Sequence, residues 1–170
     1  MSVNRGIIVD RELSSRKHKG VNSTELAEKI VRERVFDSLY WKLNCFNVNA
    51  ATILNRCVEL RCVGSFEQSG RPFPFLCLFV KLIQMLPPSE IIEFYLQQHE
   101  FKYLKVLALL YVRIVERDQD TLRQHLSDYR KIILFENGAW SLTTVDVIVD
   151  RLLTEDFFIG LTLPFMGASE

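Results

Sequence analysis

From Ser89 to Asn137 the chain runs 49 residues without a glycine or a proline. Those two residue types end helices most effectively, glycine through its backbone freedom and proline through its missing N–H. A stretch free of both, with apolar residues at helical spacing, commits the middle of the chain to helix. Ser89 is placed to cap a first helix carrying Ile91, Ile92, Tyr95 and Leu96. A second is predicted from about Phe101 to Glu116, with Leu104, Leu107, Ala108, Tyr111, Val112 and Val115 as its apolar face. A third starts after Asp118 or Asp120 and carries Leu122, Leu126, Tyr129 and Ile133.

The flanks continue in the same style. Asn22 with Glu25 three residues on is a capping-box pattern. It predicts a helix ending near Trp41-Lys42, with Leu26, Ile30, Val31, Val35, Leu39 and Tyr40 recurring at helical spacing. Asn49 caps a second predicted helix that runs through Val63 and stops at Gly64, with Ile53, Leu54, Cys57, Val58 and Leu60 inward. Pro74 suits the first turn of a central apolar helix, and Pro87-Pro88 end it. Ile132–Phe135 and Ala139–Leu142 then flank Asn137-Gly138, a strong hairpin signal. A two-stranded ribbon does not stand alone in water, so it must pack on helices. Thr143 with Asp146 suggests a cap for a helix through Leu153, and Phe157 to Leu163 is a short closing segment.

The fold class expected is therefore mainly α: a single compact multi-helix domain over residues 21–165, with one small β-hairpin near 132–142. Residues 1–20 are expected to form a flexible basic arm and residues 166–170 a C-terminal tail. With 48% hydrophobic residues among 170, one domain can bury a large core. The arm holds Arg5, Arg11, Arg16, Lys17 and Lys19 against Asp10 and Glu12. Over the whole chain Lys+Arg and Asp+Glu are both 21, so bulk charge does not mark a nucleic-acid binder.

The chemistry of catalysis is sparse. Cys45, Cys57, Cys62 and Cys77 form no C-x-x-C pair and read as free buried thiols in a reducing compartment. His18, His99 and His125 stand at no zinc-ligand spacing from them. There is no phosphate loop, nucleophile elbow, H-E-x-x-H or calcium loop. Glu116 with Asp118, and Glu155 with Asp156, fall at predicted helix ends, where capping carboxylates are common. His99-Glu100 and His125 with Asp128 fit surface helical histidines better than acid–base couples. No catalytic residue, cofactor site or metal site is assigned. The longest apolar run, Phe73 to Met85, contains Lys81 and is too short to span a membrane.

Two binding readings remain. Phe101-Lys102-Tyr103-Leu104-Lys105 alternates rings with cations, as a single-stranded RNA surface does, but a helix with a core face and solvated lysines has the same pattern. Glu59-Leu60-Arg61 and Asp128-Tyr129-Arg130-Lys131 are dense polar clusters beside predicted core faces. They suit either an ion-pair network that fixes helix packing or the polar rim of a protein-docking groove. Arg61 and Arg130 fit the rim because guanidinium makes paired contacts.

These segments resemble the N-terminal domain of the pre-mRNA-processing factor 38 family. The likeness lies in Leu26-Ala-Glu-Lys-Ile30, Tyr40-Trp41 with Cys45-Phe46, Glu59-Leu-Arg-Cys-Val-Gly64, Pro74-Phe-Leu-Cys-Leu78, Phe101-Lys-Tyr103, Leu110-Tyr-Val-Arg113 and Asp128-Tyr-Arg-Lys131. The Asn-Gly turn before Val145-Asp146 and the closing Leu163-Pro164 add to it. The resemblance covers roughly residues 20 to 165 in unbroken order. It implies a helical, non-enzymatic spliceosomal scaffold in the nucleus, required when the particle is activated. It also implies partners: helical segments of a microfibrillar-associated-protein-like factor and of a zinc-finger splicing factor, with contact to small nuclear RNA inside the assembled particle as a further expectation. Glu59, Arg61, Asp128, Tyr129, Arg130 and Lys131 lie in the matching motifs and are the protein-binding candidates. Two departures accompany the likeness. Many relatives continue into a charged or Arg/Ser-rich tail where this chain stops at Glu170, and the arm is longer than the family's usual lead-in.

Overall fold

The computed structural model describes residues 17–18 and 21–167, so most of the expected arm and the last three residues lie outside the described part. Strands β1 (Lys17–His18) and β2 (Val21–Asn22) pair antiparallel, so the described end of the arm is a short ribbon. Asn22 does cap, but it caps a tight 3-10 turn, Ser23–Leu26. Its side-chain oxygen accepts from the Thr24 N–H at 3.1 Å and the Thr24 hydroxyl at 2.8 Å. Ala27 is extended, and helix α1 (Lys29–Asp37) begins afresh after it.

The predicted first helix breaks a second time at Ser38. That residue is extended, with its hydroxyl donating to the Val35 carbonyl at 2.6 Å and accepting from the Trp41 N–H at 3.3 Å. A serine hydroxyl that serves both flanking turns competes with a continuous helix. Helical turns resume at Leu39, with a wide π turn at Trp41–Cys45.

The second predicted helix is also shorter than expected. Asn49 accepts from the N–H groups of Ala51 and Thr52 at 3.0 Å each, as a cap should, but helix α2 spans only Ile53–Cys57. Glu59 to Cys62 leave the helix, and Val63–Gly64 form strand β3. Gly64 is therefore a strand residue and not a helix stop. A side chain there would place its Cβ 2.8 Å from Phe73 Cδ2. Phe73 itself packs against Phe135 and Trp140, with ring centroids 5.2 and 5.8 Å away. Gly64→Ala is expected to cost about 1–3 kcal/mol through this overpacking. The check is a lower urea midpoint with an unchanged m-value.

Helix α3 (Pro74–Met85) is the axis of the core. Every residue from Phe75 to Met85 is buried, so it shows no solvent face. Lys81 is drawn in with it, and its ammonium donates to the Phe46 carbonyl at 3.3 Å and lies 5.4 Å from the Trp41 ring. Leu86 in the left-handed region closes the helix ahead of the two prolines.

Helix α4 (Ser89–Leu96) has Pro88, not Ser89, at its cap position, and no side chain caps it. Helix α5 (Lys102–Tyr111) continues as a π turn, Val112–Glu116, and Arg117 with φ 56° stops it. Helix α6 (Gln119–Arg123) is capped by Asp118, whose carboxylate accepts from the Asp120 and Thr121 N–H groups. Only Leu122 of the third predicted helix is both helical and buried. Leu126 and Tyr129 follow α6 as exposed residues, and Ile133 lies in a strand.

The hairpin forms where the sequence placed it. Strands β4 (Lys131–Glu136) and β5 (Ala139–Thr144) pair one-to-one across Asn137 and Gly138, both at positive φ. Two such central residues make the turn whose twist matches that of the strands. Strand β3 joins β4 in parallel, giving the sheet order β3-β4-β5. Helix α7 (Val145–Thr154) follows directly, with Thr144 at its cap position and no side-chain cap bond, so the Thr143–Asp146 capping pattern is not realised. Strands β6 (Phe157–Phe158) and β7 (Leu161–Thr162) close the chain as a small ribbon. One hydrophobic cluster runs from Ala27 to Leu163 through all these layers. Helices dominate, but the sheet is larger than a hairpin by one strand.

Candidate protein-docking surface

Asp128, chosen from sequence, proves to be the centre of an ion cluster. Its carboxylate receives Lys105 Nζ at 2.8 Å and Arg130 Nη2 at 2.7 Å on one oxygen. The other takes Arg130 Nε at 3.0 Å and the Arg130 N–H at 3.1 Å. Burial pushes the Asp128 carboxyl upward, but the hydrogen bonds from Arg130 and Lys105 outweigh it and hold the group well below the usual carboxylate range. Arg130 also donates to the His99 carbonyl at 2.5 Å, and the Asp146 N–H donates to the Asp128 carbonyl at 2.8 Å. The cluster thus ties the α4–α5 link, α5, the approach to β4 and the start of α7 together.

The other candidates sit differently. Tyr129 and Lys131 point to solvent beside this brace. Glu59 and Arg61 are exposed, and Glu59 stands 3.8 Å from Arg56 in a surface pair. Among the described residues no hydrogen bond or ion pair joins Glu59 or Arg61 to the Asp128 cluster. Lys105, taken as a solvated or phosphate-facing lysine, is buried and committed to Asp128. Of that aromatic–basic run only Phe101 and Lys102 retain surface, with the Lys102 ammonium 5.5 Å above the Tyr103 ring.

A groove opens elsewhere. The break at Ser38 turns the following helical turns outward, leaving Leu39 71% and Leu43 69% exposed. They stand one turn apart along a groove of about 950 Å³ that the Arg71-Pro72 segment and Pro74 also line. A second hollow of about 470 Å³ shares Leu43 and Asn44 with it and continues past Val48 to Arg56. Arg34, Asp37 and Glu67 supply a charged border. Apolar side chains in a concave strip with a charged border are what an amphipathic helix docks into. Leu39 shares the helical spacing of Leu26, Ile30, Val31 and Val35. The spacing carried no sign of the Ser38 break that rotates it out.

The model of the PRP38 family matches residues 16–169. This chain belongs to the PRP38 family. It is 43% identical to pre-mRNA-splicing factor 38 of Schizosaccharomyces pombe over 83% of the chain and 69% of that protein. Against pre-mRNA-splicing factor 38A of Homo sapiens it is 37% identical over 85% of the chain and 48% of that protein. Against the Arabidopsis thaliana factor the values are 35%, 86% and 42%. The PRP38-family chain thus spans about half the length of several relatives it matches. Its fold superposes on a chain of the Snu23-Prp38-MFAP1(217-258) complex of Chaetomium thermophilum with a TM-score of 0.83 and 39% identity. That match covers 88% of this chain and 81% of the other.

Several other polar groups of this PRP38 domain are held by structural partners. Asp118 caps α6, and its carboxyl is held low mainly by the Thr121 hydroxyl. Glu155 pairs with Arg151, which also forks onto Glu136 at 2.7 and 2.8 Å and lies 5.0 Å from the Phe158 ring. The Asp128 carboxylate is taken by Arg130 and Lys105, and His125 is held below its ordinary value by burial and then by Lys105. Burial pushes the Cys57 and Cys77 thiols up to about 12, which suppresses the reactive thiolate. Among the described residues no cluster of three or more His, Cys, Asp or Glu is arranged for a metal, and no helix is long and apolar enough to cross a membrane.

Proposed function

We propose that this chain is a non-enzymatic docking domain of the spliceosome, acting in the nucleus at the activation step by holding helical segments of other splicing proteins. Its membership in the PRP38 family and the splicing-factor names of its relatives support the process. The related Chaetomium thermophilum chain in complex with Snu23 and an MFAP1 segment supports the mode: a zinc-finger factor and a microfibrillar-associated-protein-like factor are the partners proposed here. The observation that carries the reading is the pair Leu39 and Leu43, exposed on one face along a continuous groove. Glu59, at the Arg56 end of that groove, is retained as a rim candidate, whereas Asp128 and Arg130 act on the surface only by holding Tyr129 and Lys131 in place.

The test is calorimetric titration of the domain with the MFAP1 217–258 segment named for the Chaetomium thermophilum complex. Binding is expected, and Leu39→Glu with Leu43→Glu is expected to weaken it at least about tenfold, since central apolar anchors carry most interface energy. Both side chains are exposed, so the melting temperature should hold. Unchanged affinity in a folded double variant rejects the groove as the docking site. Direct RNA binding receives less support, because Lys105 is buried against Asp128 and cannot reach a phosphate.

A further inference from the structure

The sheet carries a second surface of a different kind, the outer edge of β5. Among the described residues, β5 has β4 on one side and no strand on the other. Around a two-residue turn the flanking residues, Glu136 and Ala139, exchange hydrogen bonds, and bonded pairs then recur at every second residue. Leu134–Ser141 and Ile132–Thr143 belong to this set, and the Val145 N–H continues it by donating to the Arg130 carbonyl at 3.0 Å. Ile133 belongs to the other set, and its N–H points away from β5 to the Tyr103 hydroxyl at 3.0 Å. By the same alternation the backbone groups of Leu142, the cross-strand partner of Ile133, and of Trp140, the partner of Phe135, point outward from β5. Among the described residues no hydrogen bond reaches them.

Exposed edges are normally blunted by charge, proline, a bulge or shortness. β5 reads Ala-Trp-Ser-Leu-Thr-Thr, six residues without charge or proline, in unbroken register with β4. Trp140 is 59% and Leu142 64% exposed on the face that also holds Ile133. We propose that β5 takes up an extended segment of a partner protein as an added strand, apolar at the positions beside Trp140 and Leu142 and polar at the alternate ones.

The chemistry selects this occupant. Outward N–H and C=O groups at every second residue fit an extended backbone and not a helix, whose own groups are already paired. Antiparallel self-pairing of two copies would centre Leu142 on Leu142 and leave the Trp140 faces in water. Such a contact is far smaller than the roughly 800 Å² per partner of a stable interface. No residue of β5 lines the Leu39–Leu43 groove, so the two surfaces can succeed or fail separately.

The experiment pans a random library of peptides of about eight residues, a strand's length, on the immobilised full chain. Selected peptides are then titrated into isotope-labelled chain. The expected result is alternating strand-forming peptides that shift the amide signals of Trp140 and Leu142 and slow their exchange. Leu142→Pro removes an outward N–H and no β4 bond, and should weaken binding roughly tenfold or more. If that variant unfolds, the amide footprint on the unaltered chain decides. Three results overturn the proposal: helix-forming peptides that shift Leu39 and Leu43 alone, no selected peptide that touches β5, or a dimer of the free chain formed through β5.

Discussion

Replacing Asp128 by asparagine is expected to lower the stability of the domain by about 3–5 kcal/mol, the usual cost of removing one partner from a buried ion pair. The change keeps the side-chain shape and deletes the charge. Lys105, itself buried, then faces an amide in place of a carboxylate 2.8 Å away, and Arg130 loses the anchor that aims it at the His99 carbonyl. For a domain of this size the melting temperature should fall by roughly 6–20 °C. The pH dependence has a definite sign. The folded Asp128 carboxyl lies below its unfolded value of about 4. Its stabilisation is therefore complete above that value and is lost as pH falls through the folded one. The native chain should lose stability below about pH 4 more steeply than Asp128→Asn, whose amide does not titrate. Parallel acid unfolding curves for the two proteins would show that Asp128 is no anchor.

Phe79→Ala should cost a similar amount, about 3–5 kcal/mol, by a different route. Phe79 is fully buried on a helix without a solvent face, so the vacated volume has no water to fill it and packed neighbours on every side. Loss of transfer energy and the residual cavity add. The effect should be nearly independent of pH between the acid limit and neutrality, which separates it from the Asp128 variant. Chemical denaturation at two pH values makes the distinction, and a loss below about 1 kcal/mol would mean that the site collapses around the smaller side chain.

The helical middle was legible because its signals are local. Pro74 and the Pro87-Pro88 stop bracket α3 to within a residue, and the Asn137-Gly138 turn located the hairpin. The N-terminal third was less legible. Leu26, Ile30, Val35 and Leu39 keep helical spacing across two breaks, because spacing does not register a serine hydroxyl that serves both flanking turns or a cap that closes a 3-10 turn. Glu59 to Val63 read as the end of the helix that Asn49 caps, with Gly64 as its stop. The strand pairing of Val63 and Gly64 depends on β4, 71 residues along by the Val63–Leu134 register, and no local pattern records that.

The candidate site divides the same way. Asp128 and Arg130 are legible in the sequence as a polar cluster beside a predicted core face, and their contacts in the structure form an ion-pair brace. Lys105, its third member, lay in a run that reads as a solvated helix face. Only the packing of α5 against the segment entering β4 showed the ammonium turned inward.

By itself, then, the sequence determined the helical class, the central helix, the hairpin and its turn. Each rests on the conformational limits of proline, glycine and asparagine and on apolar periodicity, all of which act over a few residues. The tertiary structure decided which apolar residues turn outward, which charges are consumed by packing, and that β5 is an open edge among the described residues. Those outcomes depend on pairings between segments far apart in the chain. Burial then makes them compulsory, because a buried charge or backbone group without a partner costs more than the fold can spare.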